Sequence, residues 1–291
     1  MSHQGLLGEP HSASQPGASQ PGASQAAAGE PGAGEPTILD LLDLEQVEVN
    51  LFRSCVTIER PEPLYGGQVA AQALYAAGQT VPDGRVPHSL HGYFLRAGSA
   101  ALPTVFQVER DRDGRSFSAR RVVAIQNGKV IFNMSSSFAG PRPGTDTDVD
   151  PAPAAPPPDG LPKADNPYLM SLETRAAMEP RPGWRTATRF WVKSTLPLPD
   201  SDLVHDCVLT YMSDMSSGLI PFESDGAETG PSLDHAVWFH RTVRMDDWVL
   251  LDLVPHSVAG GRGWYTGAVY RGDGARAASI TQEALFWEAA V

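Results

Sequence analysis

Residues 200–217 read DSDLVHDCVLTYMSDMSS, a spacing that predicts a helix with a carboxylate on its buried face. Asp200 or Ser201 can cap the start, Asp202 sits in the first turn where the helix dipole favours an acid, and Gly218 follows as an end signal. At about 100° per residue, Leu203, Cys207, Thr210 and Asp214 share one stripe, widened by Val204, Val208 and Tyr211. Asp214 therefore ends an apolar face. Taken alone, the commoner case is an Asp past the last buried turn and facing water, because unpaired carboxylates are seldom buried. The rest of the chain bears on that choice.

A second helix is signalled at Gly66–Gly78, GGQVAAQALYAAG, bounded by glycines and filled with good helix formers. Its face of Val69, Ala73, Ala76 and Ala77 is small, as suits a helix pressed against a sheet, with Gln68, Gln72 and Tyr75 in a polar stripe beside it. Strand patterns follow at His88–Leu95, Thr104–Glu109, Ser116–Ile125 and Lys129–Phe138, with the hairpin pair Asn127-Gly128 between the last two. After residue 167 the order recurs: strands at Leu172–Met178 and Arg185–Ser194, the opening helix, then strands at Leu233–His240, Trp248–Val254, Gly263–Tyr270 and Ala275–Phe286. Asp273-Gly274 repeats Asn127-Gly128 about 146 positions later, and Gly218 repeats Gly78 about 140 later. Two copies of a helix followed by antiparallel strands imply a tandem duplication in an α+β protein. A helix wrapped by a curved antiparallel sheet is the hotdog arrangement, so the expectation is a double hotdog with ligand sites at the seam.

The expected divisions are a low-complexity tail over 1–36, an N-terminal hotdog over 37–140, a Pro/Ala/Asp-rich linker over 141–166 containing PAPAAPPPDG, and a C-terminal hotdog over 167–291. Between tail and first helix, ILDLLDLEQVEVNLF mixes a short amphipathic helix with the start of a strand. The net charge of -12 and pI near 5.0 argue against a nucleic-acid partner. No apolar run approaches a membrane span and the first residues carry no secretory pattern, which points to a cytoplasmic protein without membrane insertion.

Familiar catalytic signatures are missing. There is no G-x-S-x-G elbow, HExxH, Walker A motif or G-x-G-x-x-G. Cys55 and Cys207 make neither a metal spacing nor a disulfide framework, and His88 and His91 point to opposite sides of a strand; no metal or cofactor is expected. Ser232, Asp234 and His235 hold the residue types of a triad but lie too close in sequence to converge as one. What remains are polar residues at interior-looking places: Asp214, Ser232 at the mouth of LDHAVWFH, and Gln282 inside ASITQEALF. Each also has a plain reading as a turn or strand-end residue.

The segments YGGQVAAQALYAA, HSLHGYFLRAG, DGRSFSARRVVAIQNGKVIFNMSSSF, YMSDM, SLDHAVWFHR and SITQEALF, in this order, resemble the type II (TesB-type) acyl-CoA thioesterases over about residues 37–291. The resemblance implies a double hotdog that hydrolyses medium- to long-chain acyl-CoA to free acid and CoA with neither cofactor nor covalent intermediate. It assigns the catalytic set to Asp214 as base, with Ser232 and Gln282 fixing the water. LRAG departs from the family's Arg-Pro-Gly at that turn. In the first copy, Leu74 is read as the counterpart of Asp214 and Ser136 as that of Gln282, leaving that half silent. Backbone donors near Gly66-Gly67 and the arginines at 110, 112, 115, 120 and 121 are candidates for the oxyanion and the CoA phosphates; for the arginines a self-neutralised hairpin is an equal reading. A homo-oligomer is expected. The alternatives are a hotdog enoyl-CoA hydratase and a non-catalytic acyl-CoA-binding module.

Overall fold

A computed structural model describes residues 36–60, 62–178, 187–215 and 218–288, with the side chain of residue 288 left out. The expected tail lies, apart from residue 36, outside these residues. The first half runs α1 (Ile38–Leu42), β1 (Leu44–Glu48), β2 (Leu51–Ser54), α2 (Gly66–Gly78), β3 (Val86–Phe94), β4 (Val105–Asp113), β5 (Phe117–Gln126) and β6 (Lys129–Ala139). The second runs β7 (Leu172–Ala176), β8 (Arg189–Ser194), α3 (Asp202–Ser213), β9 (Ala227–Ser232), β10 (Asp234–Phe239), β11 (Val249–Ala259), β12 (Arg262–Tyr270) and β13 (Arg276–Glu288).

Among the described residues, these strands form one thirteen-stranded antiparallel sheet in the order β1-β2-β4-β5-β6-β3-β10-β13-β12-β11-β8-β7, with β9 also on β13. Read outward from the middle, β3-β6-β5-β4-β2-β1 is matched by β10-β13-β12-β11-β8-β7. The two halves are copies joined where β3 pairs with β10, Leu90 opposite Val237 and Gly92 opposite His235. This is the double hotdog. Asn127 and Gly128 both take positive φ, 47° and 71°, as a two-residue primed turn requires.

Both long helices lie inside the sheet and against each other, N-terminus to C-terminus. Gly78 faces the side chain of Leu203 and Gly67 faces the carbonyl of Tyr211, so glycines set the close approach. Ala70, Ala71, Ala73, Ala76 and Ala77 of α2 are all buried, which explains its narrow composition. In α3 every residue from His205 to Ser213 is buried, so the amphipathic reading is too generous to its polar side. One apolar core spans both halves.

Several local readings change. Strand β9, with Gly230 and Pro231, carries no strand pattern; it forms because β13 offers it an edge. Helix α3 ends at Ser213, with Asp214 as its cap residue, rather than running toward Gly218, which instead packs on the ring of Tyr265. Leu74 sits inside α2, a turn before its end, so the residue placed like Asp214 is the exposed Gln79.

The linker is strapped down. Trp191 Nε1 donates to the carbonyl of Pro156 at 2.8 Å, Arg189 to that of Ala154 at 2.9 Å, and Arg241 pairs with Asp146 and Asp148. Ala152 and Ala155 cover Ala177, Leu250, Ala268 and Tyr270 on the face of the second half opposite α3.

Candidate active site

Three separate elements bring the sequence-predicted trio together. Asp214 caps α3, Ser232 ends β9, and Gln282 lies in β13, with Asp214 3% and Gln282 0% exposed. Along β13 the register slips by one residue between β9 and β10, where Leu233 N–H donates to the carbonyl of Glu283 at 2.8 Å. That slip turns Ser232 toward Gln282. Gln282 Nε2 donates to Asp214 Oδ1 at 2.6 Å and to Ser232 Oγ, while Ser232 Oγ donates to the same Asp214 oxygen at 3.3 Å.

The carboxylate also meets the start of α2. Gly67 N–H donates to it, and a methyl group at Gly66 would collide with Oδ2. The helix N-terminus of one half thus faces the catalytic candidate of the other, where the dipole favours negative charge. Burial nevertheless dominates, raising the Asp214 pKa to about 7 against the bonds from Gln282, Ser232 and Gly67. Tyr65 and Tyr265 are pushed up as well, by burial first and then by the nearby Asp214 charge. Tyr265 stands opposite Gln282 in the β12–β13 ladder, and its buried hydroxyl has no hydrogen-bond partner among the described residues.

Behind Gln282 lies His235, fully buried. Its Nδ1 is 2.7 Å from Gln282 Oε1, and its Nε2 is 2.7 Å from Ser213 Oγ. Burial lowers its pKa to about 4, so the ring is neutral near pH 7. In sequence, His235 stands out only as part of the Ser232, Asp234 and His235 cluster that lies too close together to form a triad. The strand period was the available signal: on β10, His235 and Val237 share the inward face.

Among the described residues the other half holds no such arrangement. Across β5–β6 the pair Arg120–Ser136 stands where Tyr265–Gln282 stands across β12–β13. Arg120 is 1% exposed and donates to Thr80 Oγ1 at 2.7 Å, to the Thr80 carbonyl at 2.8 Å and to Asp113 at 2.7 Å. Its donors are committed to the fold, so Arg120 is withdrawn as a phosphate ligand. Arg121 pairs with Glu109 and Asp111, and Arg110 donates to Asn50, which favours the self-neutralised hairpin. A cleft of about 520 Å³ beside Asp200, Arg244 and Trp248 lies at the far end of α3 and contains none of the trio.

The family model of the acyl-CoA thioesterase N-terminal domain matches residues 61–139, and that of the acyl-CoA thioesterase C-terminal domain matches 146–286. Acyl-coenzyme A thioesterase 8 of Homo sapiens is 33% identical over 280 residues, covering 85% of this chain and 88% of that protein. Acyl-CoA thioesterase 2 of Haemophilus influenzae is 30% identical over 276 residues, covering 85% and 96%. The crystal structure of acyl-CoA thioesterase II TesB2 from Mycobacterium marinum has a TM-score of 0.75 and 40% identity, covering 86% of this chain and 97% of that one. Fold and matches together define a double-hotdog thioester hydrolase. The chain belongs to the acyl-CoA thioesterase family.

Proposed function

We propose that this protein hydrolyses medium- to long-chain acyl-CoA by direct attack of a water that Asp214 deprotonates. The supporting observation is a buried carboxylate, its pKa raised to about 7, bonded at once by Gln282 and Ser232. A thioester is already activated, so catalysis needs chiefly a placed water, a base and a stabilised oxyanion. Water lying among the three side chains gives its proton to Asp214 as its oxygen bonds the carbonyl carbon. The tetrahedral intermediate then breaks its C–S bond, and the proton passes to the departing CoA sulfur. Ser232 is the only member of the trio that is partly exposed, which makes its side the entry from solvent. A hydratase would need a histidine with a nitrogen free for substrate, whereas both nitrogens of His235 are engaged.

The reading includes a cytoplasmic, homo-oligomeric enzyme with the divisions given above. Among the described residues no helix is long and apolar enough to cross a membrane. The test is thiol release from acyl-CoA of increasing chain length by the wild type and Asp214→Asn. Release by the wild type and a loss of about 10²-fold or more in the folded variant is expected. Binding without release by the wild type would instead favour a binding module.

A further inference from the structure

Gln282 can serve the ionised Asp214 and Ser232 only if its amide nitrogen points at them, and because a protonated Asp214 could donate to Oε1 instead, the trio by itself does not hold that orientation through the titration of the carboxyl near pH 7. An amide is nearly symmetric in shape, and the opposite flip would set Oε1 against the carboxylate. Something else must choose. Gln282 Oε1 has no proton to give, so at 2.7 Å from His235 Nδ1 it can only accept, which places the ring proton on Nδ1. The neutral ring then has a lone pair on Nε2, and the single proton of the Ser213 hydroxyl goes to it at 2.7 Å in preference to the Thr210 carbonyl at 2.9 Å, because a ring protonated on Nδ1 has nothing to donate from Nε2. Ser213 is the last residue of α3, directly before Asp214, so the base and the far end of this chain of bonds are consecutive in sequence.

We propose that His235, held by Ser213, is a positioning residue that fixes the amide of Gln282 with its N–H groups toward Asp214 and Ser232. The direction of donation is the same throughout: Ser213 to His235, His235 to Gln282, and Gln282 to Asp214 and Ser232. His235 touches none of the reacting atoms, since both its nitrogens are used and it is fully buried. Leu90 stands in its place in the first half, opposite Ser136 on the β3–β6 ladder as His235 stands opposite Gln282, so the imidazole and the glutamine are absent together from the silent half.

The inference rests on the proposed role of Gln282, and the experiment separates the two. Kinetics of thiol release are measured for His235→Leu, His235→Asn, Ser213→Ala and Gln282→Ala, and for the first and third combined with Gln282→Ala, with thermal melts to establish that each is folded. Asn places an amide N–H where Nδ1 stands; Leu places none. His235→Leu is expected to lower kcat about 10-fold with KM moved less than about threefold, because orientation matters chiefly in the transition state. His235→Asn should recover most of that kcat, and Ser213→Ala should lose a few-fold. In the Gln282→Ala background, adding either His235→Leu or Ser213→Ala should cost nothing further, because both act through the amide. If Gln282→Ala leaves kcat unchanged, the reading of the trio fails. If Gln282→Ala lowers kcat but the losses at His235 and Ser213 multiply with it, or Asn restores nothing, the positioning role is overturned. Should His235→Leu not fold, the Ser213→Ala cycle decides the same question by removing only a buried hydroxyl from the last turn of α3.

Discussion

At Asp214, burial competes with three donors and wins, leaving a carboxyl that titrates at about 7 instead of near 3.8. In the proposed mechanism the ionised form is the base, so activity should rise with pH through that value. We expect kcat/KM for thiol release to fall about tenfold per unit below pH 7 and to level off above it. A profile flat down to pH 5 would remove Asp214 as the base. The same shift has an opposite sign for stability. Because the folded pKa is raised, the folded chain holds a proton that the unfolded chain has released; this stabilisation is full below the unfolded value and is lost as pH rises through about 7. Asp214→Asn, which cannot ionise, should therefore melt higher than the wild type at pH 8, by about 3 °C or more, and the margin should shrink at pH 5.

At the scale of elements, the site depends on the N-terminus of α2 meeting the C-terminus of α3. Gly66 leaves room for Asp214 Oδ2 and the ring of Phe94, and Gly67 leaves room for the carbonyl of Tyr211. Gly66→Ala places a better helix former at the start of α2 but puts a methyl group into the carboxylate. The expected result is a folded protein with a Tm lower by about 4 °C and a kcat lower by about 10- to 100-fold, since displacement of the base by about 1 Å is enough for such a loss. Circular dichroism melts and steady-state thiol release check both. An unchanged kcat would mean that Asp214 finds its geometry without α2.

Across the whole molecule, the linker closes the face of the second half that α3 does not cover. Ala152 and Ala155 shield Leu250, Ala268 and Tyr270, while Asp146 and Asp148 hold Arg241. Replacing residues 146–158 by a Gly/Ser chain of equal length should lower Tm by about 4 °C or more through lost burial and higher unfolded-state entropy, and leave kcat within about twofold, because the strap lies on the opposite face of the sheet from Asp214. A large loss of turnover with little change in Tm would show that the strap acts on the site.

Periodicity and turn chemistry are local, which is why the repeat, the strands, the hairpin at Asn127-Gly128 and the helix Gly66–Gly78 were legible in the chain alone. Resemblance supplied the trio; Asp214 lies at the end of the expected helix and Gln282 on the inside face of the expected last strand, whereas Ser232 ends β9, a strand that was not expected. Strand β9 was not legible, since a Gly- and Pro-containing segment becomes a strand only when another strand offers its edge. The end of α3 was not legible either, because Ser213 and Asp214 are drawn to partners on β10, β13 and α2 rather than to a local stop signal. The fate of Arg120 was decided by Thr80 and Asp113, groups about 40 and 7 positions away. Sequence thus determined the elements and the tandem plan, which depend on neighbours along the chain. Tertiary structure decided which carboxylate is desolvated, which arginine is spent and which histidine stands behind Gln282, because desolvation and hydrogen-bond pairing depend on neighbours in space.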